Sequence, residues 1–319
     1  MPAALFGVLA LAGCEEPRQG GGWECVAPAA AGGGWDLTCR ALARTLQELG
    51  LAPGMVRVVN IPGAGGGIAY ANAVAQRRGD GNVVVAASPA TVLRLAQGQF
   101  AHLVETDVRW LGAIATDHGV VAVSPDAPWE DLDALLSAWR ADPGSLTVSG
   151  GSAVGGQDHM KMLLLAREAG VDPLAVRYVP FDGGGEAMTA LLGGFVQLFS
   201  GDVTQVEAQV EAGNLRVLAV LAPERVGGAL AAVPTAREAG YEVDWVTWRG
   251  FYVPPDVPEE RYQAWIETLR EAAGSEAWAR ELERTRLDPY FLAGPEFEAF
   301  VEAQVREFRA LSRSMGLIP

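Results

Sequence analysis

The chain predicts an α/β protein of two lobes, each a mostly parallel sheet flanked by helices, with a ligand cleft between them. Three observations carry this. Four short apolar runs each end in a glycine-rich turn that opens a helix-patterned segment, two early and two late in the chain. The length, 319 residues with half of them hydrophobic, suits about two domains of roughly 150 residues each. The last sixty residues are amphipathic at helical spacing and have no strand of their own to cover, so they should pack on an earlier sheet. In open parallel sheets, strand-to-helix turns lie at the carboxyl ends of the strands, where ligands bind.

Residues 1–22 read as an export segment and tether. Ala3 to Ala12 is apolar but, at ~10 residues, too short to span a bilayer. It runs into Leu11-Ala12-Gly13-Cys14, which resembles a lipobox, so Cys14 is the expected lipidation site. No Lys or Arg precedes the apolar stretch, which suggests a true start codon elsewhere. The first unit follows. Cys25, Val26 and Ala27 end in the turn through Gly32, Gly33 and Gly34, and a helix starts at Trp35 with Leu37, Ala41, Leu42, Thr45, Leu46 and Leu49 on one side. Backbone N–H groups at a helix start have no internal partner and carry about half a positive charge between them. Such a turn therefore either holds an anion or is simply tight. Asp36 at this start could cap the helix or repel the anion, and capping is the expectation.

The second unit runs from Val56–Val59 through Ile61-Pro62-Gly63-Ala64-Gly65-Gly66-Gly67 into an alanine-rich helix. Val83–Ala87 is a buried strand ending at Ser88, with Ser88 and Thr91 as hydroxyl donors to the cleft or Ser88 as an ordinary helix cap. Trp110–Ala115 and Val120–Val123 read as two strands crossing between lobes, and residues 128–140 as a helix with Leu132, Leu135, Leu136 and Trp139 on one face. The third turn spans Ser149 to Asp158 and includes Ser152, Gly155, Gly156 and Gln157. The fourth is Phe181-Asp182-Gly183-Gly184-Gly185-Glu186. Val196–Phe199 is a strand ending in Ser200-Gly201-Asp202, where Asp202 should serve structure or bind a hydroxyl, since it would repel a carboxylate. Arg216–Leu221 is a further strand, and 243–253 returns to the first lobe. From Pro258 the pattern is helical, with stripes through Tyr262, Trp265, Ile266 and Leu269, and through Phe297, Val301, Val305 and Phe308. The expected boundaries are 23–116 plus 250–319 for lobe one and 117–249 for lobe two.

Composition narrows the chemistry. The net charge is −15, and Lys161 is the only lysine. Nucleic acid is excluded as a partner because its binding needs basic patches. Long-range steering of an anion is excluded too, so an anion must be recognised locally. His102, His118 and His159 are scattered and no Cys-x-x-Cys occurs, so neither a metal nor a cofactor is expected. Cys25 and Cys39 flank the first glycine turn, and an oxidising compartment would permit a disulfide between them; spacing does not settle the geometry. Catalytic motifs fail in turn. Ile68 replaces the last glycine of a dinucleotide fingerprint, Gly150–Gly156 lacks the P-loop Lys-Ser/Thr, and Val154 breaks the nucleophile elbow around Ser152. A hydrolase using Ser152 is the remote alternative.

These pieces together resemble the substrate-binding proteins of tripartite tricarboxylate transporters, closest to the citrate-type branch. The resemblance rests on Pro28–Arg40, Pro62–Gly66, Gly150–Asp158, Tyr178–Glu186, Ser200–Asp202, Val233–Tyr241 and Trp248–Pro254. It implies a two-lobed periplasmic binding protein fold, type II-like, that closes on a carboxylate. It implies a periplasmic monomer serving a permease of one large and one small integral-membrane subunit. A sensor kinase is the alternative partner. The expected ligand contacts are Gly33, Gly34, Trp35, Asp36, Ser88, Ser152, Gly155, Gly156, Gln157, Gly183, Gly184, Gly185 and Asp202. Arg40 and Arg249 are the basic alternatives if backbone amides do not hold the anion.

Overall fold

The computed structural model describes residues 22–319, so Cys14 and the export segment lie outside the described residues. The elements in chain order are β1 (Glu24–Ala27), α1 (Gly34–Glu48), β2 (Arg57–Asn60), α2 (Gly67–Gln76), β3 (Val83–Ala87) and α3 (Pro89–Ala96). A long strand, β4 (Arg109–Val123), leads to α4 (Leu132–Ala141), β5 (Thr147–Gly150), α5 (Gln157–Glu168), β6 (Arg177–Pro180) and α6 (Gly184–Leu192). Then come β7 (Leu198–Asp202), α7 (Val203–Glu211), β8 (Arg216–Leu221) and β9 (Val246–Val253). The chain finishes with α8 (Glu259–Ala273), α9 (Glu276–Thr285), β10 (Asp288–Ala293) and α10 (Pro295–Ser314).

Two parallel trios form the outer parts of the sheet. β1 lies between β2 and β3, and β5 lies between β6 and β7, all parallel. Both trios follow from strand–turn–helix units, whose crossovers return each strand in the same direction. Antiparallel strands join them. β3 pairs with β9, β9 with the first two thirds of β4, and the last third of β4 with β7 and β8. The sheet is therefore mixed: its parallel strands lie outside and its antiparallel strands cross the middle.

Two readings of the sequence need correction here. Trp110–Ala115 and Val120–Val123 are one 15-residue strand, not two. The polar interruption at Asp117 and His118 looked like a break, but Asp117 is buried in an ion pair and needs no turn to reach water. The C-terminal segment is not wholly helical either, because β10 pairs antiparallel with β4 from Gly112 to Thr116. The helical stripes behave as their spacing indicates. Tyr262, Trp265, Ile266 and Leu269 of α8 share a core with Cys25, Leu42 and Val84. Phe297, Val301, Val305 and Phe308 of α10 are buried in a second core with Val83, Val85 and Leu93, packing on α3 and β4. Cys25 and Cys39 are joined as a disulfide with 5.6 Å between their α-carbons, tying α1 to β1 on either side of the first glycine turn. Among the described residues no helix is long and apolar enough to cross a membrane.

Candidate functional site

Glycine residues precede α1, α5 and α6 as N-caps, and no side chain of Gly33, Gly156 or Gly183 is there to close the helix end. At α1, the N–H groups of Gly34, Trp35 and Asp36 make no hydrogen bond within the described residues; the first helical bond is Leu37 N–H to the Gly33 carbonyl, 3.0 Å. At α6, the first such bond is Ala187 N–H to Gly183, which leaves Gly184, Gly185 and Glu186. These two turns present anion-ready amides. α5 presents fewer than expected. Gly155 N–H donates to Nδ1 of His159 at 3.0 Å, Gly156 N–H to the Ala153 carbonyl at 2.7 Å, and Asp158 N–H to Oγ of Ser152 at 3.0 Å. Gly155 and Gly156 are thus not amide donors to a ligand, because the turn spends those amides on its own closure. Gln157 remains, and its side-chain oxygen is buried without a partner.

The third and fourth turns sit close together. A β-carbon on Gly151 would stand 2.3 Å from the nitrogen of Gly184, so the third and fourth turns pack backbone on backbone and only glycine fits. A β-carbon on Gly34 would stand 2.9 Å from Nη1 of Arg249, which places this guanidinium against the start of α1. Arg249 lies on β9, as does Thr247; Trp248, one residue away, faces the other side of the sheet. There it lines a separate cavity of about 350 Å³ with Trp245, Tyr290, Phe300 and Phe308.

Behind Arg249 runs a buried row of charges. Nη2 of Arg249 donates to Asp117 at 3.0 Å and lies 3.6 Å from Asp202. Asp202 accepts from Nζ of Lys161 at 2.6 Å and from Thr247 at 3.3 Å. Lys161, fully buried, also donates to Asp158 at 3.0 Å and to the Gly201 carbonyl at 2.8 Å. The row links α5 to the start of α1. Burial alone would raise Asp202, but Lys161 and Arg249 outweigh it and hold the carboxyl below its ordinary range. Asp117 is raised by burial and by its neighbour Asp202, and Asp158 is raised by burial against the pull of Lys161. Asp202 is therefore the hub of this row, with its carboxylate engaged by Lys161, Thr247 and Arg249.

Asp36 does not cap α1. Its carboxylate turns back to accept from Gly32 N–H at 2.8 Å, Asn60 at 2.9 Å and Arg40 at 2.9 Å, and so staples the preceding turn. Burial opposes ionisation there, but these three donors prevail and its pKa is lowered. Arg40 engages Asp36 through Nε on the exposed side of α1, whereas Arg249 is buried, with Nη2 toward Asp117 and Asp202 and Nη1 toward Gly34. Ser88 is the cap of α3, accepting from Ala90 N–H at 3.3 Å, and it also accepts from the Trp35 indole at 3.2 Å, fixing that ring beside the first turn. Ser152 Oγ accepts from Asp158 N–H at the start of α5, and His159 stacks on Tyr178 with its Nδ1 accepting from Gly155; among the described residues no hydrogen bond joins Ser152 to His159.

A two-part α/β chain whose parallel trios are joined by crossing antiparallel strands has the architecture of the periplasmic binding protein fold. The particular family follows from comparison with known proteins. Residues 39–317 match the model for the tripartite tricarboxylate transporter family receptor. The chain belongs to that family. It is 26% identical over 297 residues to Protein BugT of Bordetella pertussis, covering 92% of this chain and 89% of BugT. A solved TctC solute-binding protein from Polaromonas is 25% identical with a TM-score of 0.72, covering 92% of this chain and 98% of that one. An R. palustris protein solved with adipate is 24% identical with a TM-score of 0.82, covering 93% and 98%. The family is one of transporter receptors, and the Polaromonas neighbour is a solute-binding protein.

Sequence reasoning missed two members of the buried charge row: Asp117 showed only as a polar break in an apolar run, and Lys161 only as the sole lysine of the chain.

Proposed function

We propose that this protein is a periplasmic receptor that captures a small di- or tricarboxylate, citrate-like in charge, and delivers it to a permease of one large and one small membrane subunit. It acts as a monomer, anchored through a lipidated Cys14. One carboxylate meets the amides of Gly34, Trp35 and Asp36 together with Arg249, and another meets those of Gly184 and Gly185. Closure of lobe two (117–249) on lobe one (23–116 plus 250–319) presents the loaded form to the permease. The observation that carries this reading is the guanidinium of Arg249 against an uncapped, glycine-started helix. Free amides at a helix start and the Nη1 side of a guanidinium stand side by side there, which suits a carboxylate. The adipate bound to the R. palustris relative supports the ligand class.

The test is calorimetric titration with di- and tricarboxylates. A side chain at Gly34 would displace Arg249, and one at Gly184 would stand 2.7 Å from the Gln205 amide. Gly34→Val and Gly184→Val should each weaken binding tenfold or more, about 1.4 kcal/mol, with the fold retained. Arg140→Gln, at a distant surface position, should change affinity much less. Normal binding by both glycine variants would overturn the helix-start mechanism.

A further inference from the structure

We propose that Arg94 anchors the far carboxylate of the ligand, so that the site selects acids whose two carboxylates are held apart across the Trp35 ring. This rests on the receptor reading above and adds to it a residue and a ligand shape. The far carboxylate of a diacid reaches Arg94 in place of the amides of Gly184 and Gly185, which are left for the third carboxylate of a tricarboxylate.

Arg94 is half-buried on α3, and no carboxylate stands within salt-bridge distance of it among the described residues. Its Nη1 donates only to neutral oxygens, Gln97 Oε1 at 3.1 Å and the Val154 carbonyl at 3.4 Å. Nε and Nη2 have no protein acceptor there. In a chain with 39 Asp and Glu, most of the other described arginines pair with a carboxylate, many of them on the open surface. Burial without a counter-ion costs free energy that an incoming carboxylate recovers, and it lowers the pKa of this guanidinium.

Its position defines the ligand. A β-carbon on Gly65 would stand 3.4 Å from Nε of Arg94, and one on Gly66 would stand 3.5 Å from the Trp35 ring. Gly34, next to Trp35, meets Arg249. Along this wall the order is Arg249, Trp35, Gly66 and Gly65, then Arg94. Two guanidinium groups thus flank an indole whose N–H is already bonded to Ser88, leaving the ring face for an apolar spacer. The two ends differ electrostatically. Asp117 and Asp202 already balance Arg249, whereas nothing balances Arg94, so the far carboxylate should carry the discrimination.

The competing explanation is a latch. Gln97 donates to the Gly155 carbonyl at 2.8 Å, so Arg94 on Val154 could merely hold two parts of the chain together. A latch would weaken every ligand equally. The deciding experiment titrates wild type, Arg94→Gln and Arg94→Lys with succinate, glutarate, adipate and pimelate, and with the monoamide of the tightest binder. The expected result is a ten- to hundredfold loss for the dicarboxylate in Arg94→Gln, as for a charge-assisted hydrogen bond, with partial recovery in Arg94→Lys. The monoamide should bind wild type as weakly as Arg94→Gln binds the diacid, with no further loss when both changes are combined. Equal losses for diacid and monoamide, or no loss for either, would overturn the assignment and leave the receptor reading standing. If no diacid binds wild type, that reading fails as well. Melting curves establish that each variant is folded. Should Arg94→Gln not fold, the wild-type diacid-to-monoamide ratio and Arg94→Lys still decide: a ratio near one refutes the anchor.

Discussion

Replacing Lys161 with methionine tests the buried charge row most directly. The ammonium is fully buried and holds three acceptors, Asp158, Asp202 and the Gly201 carbonyl. Methionine fills similar space but leaves two carboxylates in the interior. Asp202 keeps Thr247 and Arg249 nearby, whereas Asp158 loses its only cation, so most of the cost falls on Asp158. Breaking a buried pair by removing one partner costs about 3–5 kcal/mol. That is a large part of the roughly 5–15 kcal/mol a folded domain has in hand. Asp158→Asn in the same background removes the stranded charge and should recover about half. The pH dependence has a definite sign. Without the lysine, the native pKa of Asp158 rises further above its unfolded value. The deficit is then full above the native pKa and shrinks as pH falls toward the unfolded value. Urea unfolding followed by tryptophan fluorescence at pH 8 and pH 5 reads both effects. A loss below about 1 kcal/mol at pH 8, or a deficit that does not narrow at pH 5, would refute the idea that Lys161 neutralises this row.

Two further outcomes follow from the described contacts. Unreduced protein should show no alkylatable thiol at Cys25 or Cys39 by mass spectrometry, and the Cys25→Ala/Cys39→Ala variant should lose about 3 kcal/mol, the chain-entropy value for a closed loop of about 15 residues. Burial lowers the pKa of His159 to about 4, so the native state favours the neutral ring. Its contribution is complete above the unfolded value near 6.5 and is lost as pH falls toward 4, up to about 3 kcal/mol in total. His159→Gln should flatten the stability profile in that window, and an unchanged acid limb by chemical denaturation would show that other groups set it.

The glycine turns were legible because their signal is local. A run of apolar residues, two or three glycines and a helical period lie within about fifteen positions of one another, and backbone sterics translate them directly into a strand, a turn and an uncapped helix start. The ion pairs were not legible because each joins distant residues: Asp117 meets Arg249 across 132 positions, and Lys161 meets Asp202 across 41. β10 escaped for a different reason. Its six residues, Asp288 to Ala293, include a proline and lie between two helices, so no period is long enough to register; only the edge of β4 makes them a strand. Gly155 and Gly156 misled because their composition is the same whether a turn offers its amides or consumes them. The difference lies in Ser152 and His159, whose side chains happen to reach back.

Why an acidic protein should hold an anion at all follows from where its few buried cations stand. With a net charge of −15, the surface field opposes the ligand at long range, and salt in the surrounding medium screens that field within about 10 Å. Inside the cleft the balance is local. Arg249 arrives there on β9, one of the two strands that cross the middle of the sheet, and Asp117 arrives on the other, β4, so the fold itself brings the pair together. The acidic partners orient the guanidinium and reduce its net charge, which moderates its hold on a carboxylate. Backbone amides of α1 and α6 supply attraction without adding a titratable group. Under the proposed role, in which the ligand is handed to a permease, this division would be an advantage: many partial charges would hold the ligand together and would separate together on lobe opening.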